Sequence, residues 1–388
     1  MKMGRKTLLY PYHYECAPLL RHASLCREHE IVRVVSPKGW ALHGKDAAFA
    51  DRGEETGLTV SDDFEAALDA VDAVMICDVG NMTVEKRDAA FFEMITGKIA
   101  AAIGRGKDIV CLMKLPDTAR AALLALAQEK GVGFSFVNTR EPADNDGRNR
   151  LHKISVPVVF VLGCTDNTDK FAIQLGLTEQ FRAGGYHAVS VGSRGYGELW
   201  GLRPFPDFLY ADDMGAPEKV SAFNRYLFEL EGQLSPDIFI IGVPGGIMSA
   251  SDLCPGDFGI LAYMLSNAVR PDYAVLSMNY NASIADADYF DDLNDIIKTR
   301  FGYPIRAFNM SGNEIDWNEV SERETLSFLG HSLDETARVV EKCQTLGGAA
   351  PVFNLKRKDE LDRLYAHIVN TLSGENQVEV VNQKEYAR

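Results

Sequence analysis

Short apolar runs alternate with amphipathic stretches along nearly the whole chain. In the first part the runs TLLYPY, IVRVVSP, VDAVMICD, DIVCLMKL and FSFVN are rich in β-branched and aromatic residues. Between them lie residues 16–28, DFEAALDAV, KRDAAFFEMITGKIAAAIGRG and DTARAALLALAQEKG, which read as helices. A strand covered on both faces reads as a continuous apolar run, and parallel neighbours need a crossover, usually helical. The pattern therefore predicts a Rossmann-like parallel sheet of about five strands. A second series begins with VPVVFVLG and continues through HAVSVGS, DIFIIGVP, YAVLSMNY, PIRAFNM and APVFNL. Its helices are expected at residues 217–231, 258–269 and 287–300, and at KRKDELDRLYAHIVNTL. Polar NTREPADNDGRNRLHK, residues 138–153, separates the two series. The expected organisation is a Rossmann-like domain over 1–149, a P-loop-like α/β domain over 150–374, and a polar tail over 375–388 in which VEVV is a candidate edge strand.

The densest chemistry lies in residues 156–182, VPVVFVLGCTDNTDKFAIQLGLTEQFR. An apolar run ends in Gly163, a polar loop carrying Asn167 and Thr168 follows, and Lys170 opens an amphipathic helix. Backbone N–H groups and the positive end of a helix favour an anion there, and a lysine adds a mobile charge. A working P-loop has Gly just before the lysine and Ser or Thr just after it; here those places hold Asp169 and Phe171. Asp169 is expected to repel phosphates, and Phe171 offers no hydroxyl to Mg²⁺. The stretch predicts a P-loop fold with degenerate chemistry. After the first strand of the N-terminal series stand Pro11, Tyr12, His13 and Tyr14, so the glycine fingerprint of a dinucleotide site is missing.

Ligands of such sheets gather at the carboxyl ends of the strands, which brings in three further loops. Residues 191–206 hold four glycines with Arg194 and Arg203, which read as an anion clamp or as solvated arginines on a long surface loop. Residues 209–220 hold Asp212, Asp213 and Glu218, which read as a general base or metal ligand, or as the acidic cap of a helix begun by Pro217. Residues 238–257 contain a strand ending in Gly242, Pro244, Gly245 and Gly246, where a ligand or a neighbouring backbone can come close.

Composition narrows the classes. The 388 residues are 46% hydrophobic and 24% charged, which is ordinary for a globular protein of two domains. A net charge of −15 argues against non-specific binding to nucleic acid or to anionic membranes. No secretory signal is visible, and no apolar run approaches the roughly 20 residues that span a bilayer. A cytoplasmic location is expected. The seven cysteines have no CxxC pairing and read as free thiols, with Cys77 and Cys111 in the core and Cys164 and Cys254 in loops. No metal-ligand cluster is apparent.

The order of these segments resembles a two-domain family that includes D-glutamate N-acetyltransferases, with a Rossmann-like domain followed by a dethiobiotin-synthetase-like P-loop domain. That family's loop reads roughly GTDxxxGK[ST], and Gly163 and Lys170 keep its spacing. Residues 190–195 stand where it has a TGQTG-like loop. Asp212 or Asp213, Gly215 and Glu218 loosely match its acidic segment, and residues 241–246 match its EGxG-type turn with Ile241 in place of the glutamate. A closer resemblance, over nearly the full length, is to proteins of clostridial-type peptide maturation systems. It is carried by IVRVVSPKGWALHGKDAAFADRGEETGLTVSDDFEAALD, LGCTDNTDKFAIQLGL, PDIFIIGVPGGIMSASD and FGILAYMLSNAVRPDY. It implies an accessory protein working beside radical S-adenosylmethionine enzymes on ribosomally made peptides. The chain lacks a cysteine triad for an iron–sulfur cluster, so by that motif it is not the radical enzyme.

Two functions remain, with a third behind them. The first is an accessory protein that binds a precursor peptide or radical maturase and keeps a phosphate-bearing ligand in its loop. The second is a CoA-dependent N-acyltransferase with Asp213 as base and backbone amides near Gly245 as oxyanion donors. The third is an ATP-dependent ligase or ATPase. The cofactor is expected to be CoA or a nucleotide, and the chain is expected to form a homo-oligomer.

Overall fold

A computed structural model describes residues 4–79, 89–137, 150–286, 288–348 and 350–374. The five N-terminal runs form the strands β1 (Arg5–Tyr10), β2 (His29–Val34), β3 (Ala73–Ile76), β4 (Asp108–Cys111) and β5 (Phe134–Phe136). They make one parallel sheet in the order β2-β1-β3-β4-β5. The order reverses between β1 and β3, as in Rossmann-like sheets. Helices α1 (Ala17–Arg21), α2 (Phe64–Leu68), α3 (Ala89–Gly104) and α4 (Asp117–Lys130) connect them. Local chemistry sets their ends: the Asp63 side chain accepts from the N–H of Ala66 at the start of α2, and Gly131 at φ 65° closes α4. The single helix expected over residues 16–28 is instead a 3₁₀ turn at Tyr14–Cys16, the short α1, and another 3₁₀ turn at Ala23–Leu25.

The second unit is built on β6 (Val158–Gly163), β7 (Ala188–Gly192), β8 (Arg203–Pro204), β9 (Ile238–Gly242), β10 (Tyr273–Met278) and β11 (Ala307–Met310). A hairpin of β12 (Asn313–Ile315) and β13 (Phe328–Gly330) follows, and β14 (Val352–Phe353) returns to the sheet. The parallel order is β14-β11-β10-β6-β9-β7-β8, with β6 at its centre. Residue by residue β6 is buried on both faces, which is why its sequence is an unbroken apolar run. The helices are α5 (Lys170–Ala183), α6 (Ala216–Leu234), α7 (Ile260–Ala268), α8 (Asp288–Phe301), α9 (Trp317–Arg323), α10 (Leu333–Leu346) and α11 (Lys358–Gly374). The fold is thus a Rossmann-like unit followed by a P-loop-like unit.

Residues 313–346, for which the sequence pattern predicts no element, hold the hairpin, α9 and α10. Residues 191–206, expected as a long loop, contain a 3₁₀ helix at Gly195–Trp200 with Trp200 fully buried. Most of the expected boundary segment, residues 138–149, and the tail with its VEVV lie outside the described residues. No described helix is long and apolar enough to cross a membrane.

Each sheet has its own apolar core, but one cluster belongs to both units. Leu9, Tyr12, Met75 and Leu112 of the first pack with Leu175, Tyr196, Trp200 and Leu202 of the second. The indole N–H of Trp200 donates to the carbonyl of Leu19 at 3.0 Å. Burial of these side chains seats the segment after β1 against α5 and the loop after β7, and so fixes what lies over the P-loop.

Candidate functional site

The loop at residues 163–170 leaves the central strand and turns into α5. Gly163 is required on steric grounds: a Cβ there would fall 2.7 Å from Lys170 Cδ and 2.9 Å from the Thr165 carbonyl oxygen. Asn167 and Asp169 both take positive φ, at 54° and 63°, and bend the chain into the helix start. Neighbouring strand ends pin the loop. Thr165 Oγ1 donates to Asn279 Oδ1 at 2.6 Å, Ser277 Oγ donates to the Thr168 carbonyl, and Asn309 Nδ2 donates to Ser277 Oγ at 2.7 Å. Thr168 is itself fully buried, with Oγ1 turned to the Thr165 carbonyl.

Lys170, the first residue of α5, donates from Nζ to the carbonyl oxygen of Gly245. Desolvation holds its pKa below the ordinary lysine value; Asp166 and Asp257 oppose the shift, and Arg194 adds to it. Gly245 takes φ 70°, and Gly246 is packed so closely that a Cβ would lie 2.8 Å from the Cys164 carbonyl oxygen. Gln174 of α5 donates to the carbonyls of Val191 at 2.7 Å and Ile240 at 3.2 Å. It thereby sets the spacing of the β7 and β9 ends beside the loop.

Asp169 finds its partners outside the loop. Its Oδ1 accepts from the Tyr14 hydroxyl at 3.0 Å and lies 3.4 Å from Lys356 Nζ. The carboxylates acting most strongly on Lys170 are Asp166 and Asp257. The Asp169–Lys356 pair is nearly buried, with side chains 7% and 9% exposed. Asn313 Nδ2 donates to the Tyr14 hydroxyl at 2.5 Å and to the Asn167 carbonyl at 2.8 Å. The replacement of the P-loop glycine thus serves as an anchor for the N-terminal unit, its charge matched by Lys356.

Phe171 occupies the place of the P-loop hydroxyl. Its ring meets Tyr196 edge-on at 5.8 Å, and the Arg194 guanidinium lies 5.5 Å from its centroid. Arg194 Nη1 donates to Glu15 Oε2 at 2.9 Å and to the Tyr196 hydroxyl at 2.7 Å. Desolvation works against the charge of Arg194, but Tyr196 and Glu15 outweigh it and hold its pKa above the ordinary arginine value.

These groups surround a cavity of about 780 Å³ between the two units. That volume is in the range of small-molecule sites, which run to roughly 300–1,000 Å³. Asn167, Thr168, Lys170, Arg194 and Gly245 line it; Tyr14 and Glu15 of the first unit and Lys356 of the second close it. Gly163 and Gly246 shape the loop from behind. Asp212, Asp213 and Glu218 are exposed and do not line this cavity. Glu218 Oε2 accepts from the Gly215 N–H at 3.1 Å, which is the helix-cap role allowed by its sequence context. Arg203 lies on the edge strand β8 and does not line the cavity either. Burial pushes the Cys164 thiol up to about 12, so it is not a ready nucleophile, and Cys77 and Cys111 are core residues.

Tyr14, Glu15, Lys356 and Asn313 were not readable as site residues. Tyr14 and Glu15 follow the run TLLYPY closely, and nothing in that stretch signals a partner 155 residues away.

No protein-family model matches the chain, and no curated protein matches it. Among solved structures it is similar to a DUF1611 family protein from Anabaena variabilis, with a TM-score of 0.59 and 13% identity over 95% of this chain and 100% of that one. An amine dehydrogenase from Mycobacterium smegmatis aligns only weakly, at a TM-score of 0.26 and 17% identity over 34% of this chain and 39% of its own. The first likeness establishes the fold alone. The resemblance to peptide-maturation proteins has no counterpart in these comparisons.

Proposed function

We propose that the protein binds a phosphate-bearing ligand, CoA or a nucleotide, at residues 163–170, and that it does so as a binding protein rather than as a phosphotransferase. The observation that carries this reading is Lys170. It opens a 14-residue helix directly after a strand and a tight loop, and its ammonium lies across the loop at the Gly245 carbonyl, on the cavity wall. Such a lysine exchanges a carbonyl for a phosphate oxygen without moving the backbone. The matched charge of Asp169 removes the objection that the loop repels anions. The accessory role in peptide maturation is the setting we assign to this binding, on the sequence resemblance alone.

Calorimetry with CoA and with ADP tests the reading. Binding below millimolar concentration that is lost in Lys170→Ala is expected; no binding, or binding untouched by that change, overturns it. Mg²⁺-dependent ATP hydrolysis is expected to be negligible. Turnover at about 1 s⁻¹ or faster, abolished by Lys170→Ala, would refute that expectation.

A second reading, the CoA-dependent N-acyltransferase, is favoured by the size of the cavity, which exceeds the need of a phosphate group alone. It requires a mass gain on a peptide or amino acid when acetyl-CoA is supplied. Its base would come from the cavity wall, since Asp213 stands outside it.

A further inference from the structure

We infer that Arg194 is the resident cation of the phosphate site, taking the part that Mg²⁺ plays in a working P-loop, and that Glu15 of the N-terminal unit occupies it until a ligand phosphate arrives. The inference rests on the proposed phosphate site and specifies how that site neutralises its ligand.

The residues present do not fit Mg²⁺. A P-loop holds the ion with the hydroxyl that follows the lysine, aided by a carboxylate from a nearby strand end. Here the first position is Phe171, committed to packing against Tyr196 and Arg194. The strand position is Ile241, fully buried in the apolar core of the second unit. Of the two carboxylates nearest in effect to Lys170, Asp257 caps α7, accepting from the N–H groups of Gly259 at 3.1 Å and Leu261 at 3.4 Å. Asp166 is exposed on the loop. Among the described residues no group of three or more His, Cys, Asp or Glu could hold a metal.

A fixed organic cation stands beside that position instead. The Arg194 guanidinium stacks over Phe171 and lines the same cavity as Lys170. Its hydrogen bonds to Glu15 and Tyr196 both leave from Nη1, and its other N–H groups donate to no described residue. A guanidinium presents five N–H groups in a planar fork, suited to phosphate oxygens. Arg194 and Lys170 also repel each other: after desolvation, the main cause, Arg194 is a smaller one that lowers the pKa of Lys170. An anion between them relieves that repulsion. The anion that Arg194 now holds is Glu15, whose side chain is only 8% exposed. A ligand phosphate must compete with this carboxylate, so binding is coupled to the segment that the N-terminal unit lays over the loop.

The test is calorimetry of the full chain with ADP and with CoA, each in excess EDTA and in excess Mg²⁺. Equal affinity in the two buffers is expected. Arg194→Gln should weaken binding about 10- to 100-fold, the worth of a charge-assisted hydrogen bond. Glu15→Gln should tighten it, because it removes the competitor while keeping the shape; a merely structural Glu15 would give the opposite sign. The neutral pair Glu15→Gln/Arg194→Gln is the folding control for Arg194→Gln, and it too should bind weakly. Tightening of the wild type tenfold or more by Mg²⁺, wild-type affinity in either Arg194 variant, or weaker binding by Glu15→Gln alone overturns the inference and leaves the phosphate site standing. If the wild type binds neither ligand in either buffer, the site and this inference fall together.

Discussion

The two sheets finish their leading strands in opposite ways. In the second unit, β6 ends in Gly163, the chain makes a tight loop, and a 14-residue helix starts at once. In the first unit, β1 ends in Tyr10, followed by Pro11, Tyr12 and His13, a 3₁₀ turn and a five-residue helix. The first arrangement can cradle an anion with backbone amides; the second has bulky side chains where a dinucleotide fold would place glycines. Those side chains are used elsewhere. Tyr14 and Glu15 reach across and pair with Asp169 and Arg194 of the other unit. One strand end forms the candidate site and the other supplies its cover. A loop without the residues of P-loop chemistry can therefore keep its shape through partners contributed from outside its own unit.

The tie between the two units is most easily cut at Lys356. Its ammonium is the only cation paired with Asp169 among the described residues, and both side chains are nearly buried. Lys356→Met leaves a carboxylate without compensation and should cost about 3–5 kcal/mol in denaturant unfolding. Adding Asp169→Asn should return most of that loss. No recovery would mean that Lys356 acts through its contact with Tyr14 or the Asp51 carbonyl rather than through charge.

Removing the Tyr14 hydroxyl is a smaller cut. Tyr14→Phe deletes a hydrogen bond to a charged group and should destabilise the molecule by about 1.5–3 kcal/mol. Unchanged stability would show that Asp169 needs no partner from the N-terminal unit. Gly163→Ala tests the other strand end. The methyl group would press on Lys170 and the Thr165 carbonyl, and a cost of about 1–3 kcal/mol is expected, together with loss of ligand binding.

The smallest effect is a pH dependence at a further link between the units. Glu179 of α5 accepts from Ser24 and meets His22 Nδ1 at 2.8 Å. The hydrogen bond to His22, then that to Ser24, hold its carboxyl below the ordinary 4.5, against desolvation. A depressed acid stabilises the fold above its unfolded pKa, and that contribution disappears as pH falls through the folded value. The stability advantage of wild type over Glu179→Gln should therefore be full above about pH 4.5 and shrink below it. An advantage that stays constant through that range would show that the link carries no charge.

Much of the fold was legible because parallel strands covered on both faces must be apolar throughout. All five N-terminal runs became strands, and so did each of the six runs of the second series. α10 went unread although its signal was present, since Ser332 and Glu335 form a reciprocal cap and Val339, Val340 and Cys343 recur on its buried face. The hairpin strands are only three residues each, too short for alternation to stand out.

The chain itself determined the alternation of strands and helices, the loop before Lys170, and the absence of a hydroxyl after it. These follow from local sterics and from periodic burial, which neighbouring residues express together. Only the tertiary structure decided where charge goes. Asp169 stands next to Lys170 in sequence, yet its partners are Tyr14 and Lys356. Arg194 sits in a glycine-rich segment that reads as a long surface loop, yet it is held by Glu15, 179 positions earlier. Electrostatic partners are chosen by distance and desolvation in the packed molecule, and the shared core around Trp200 brings these residues together.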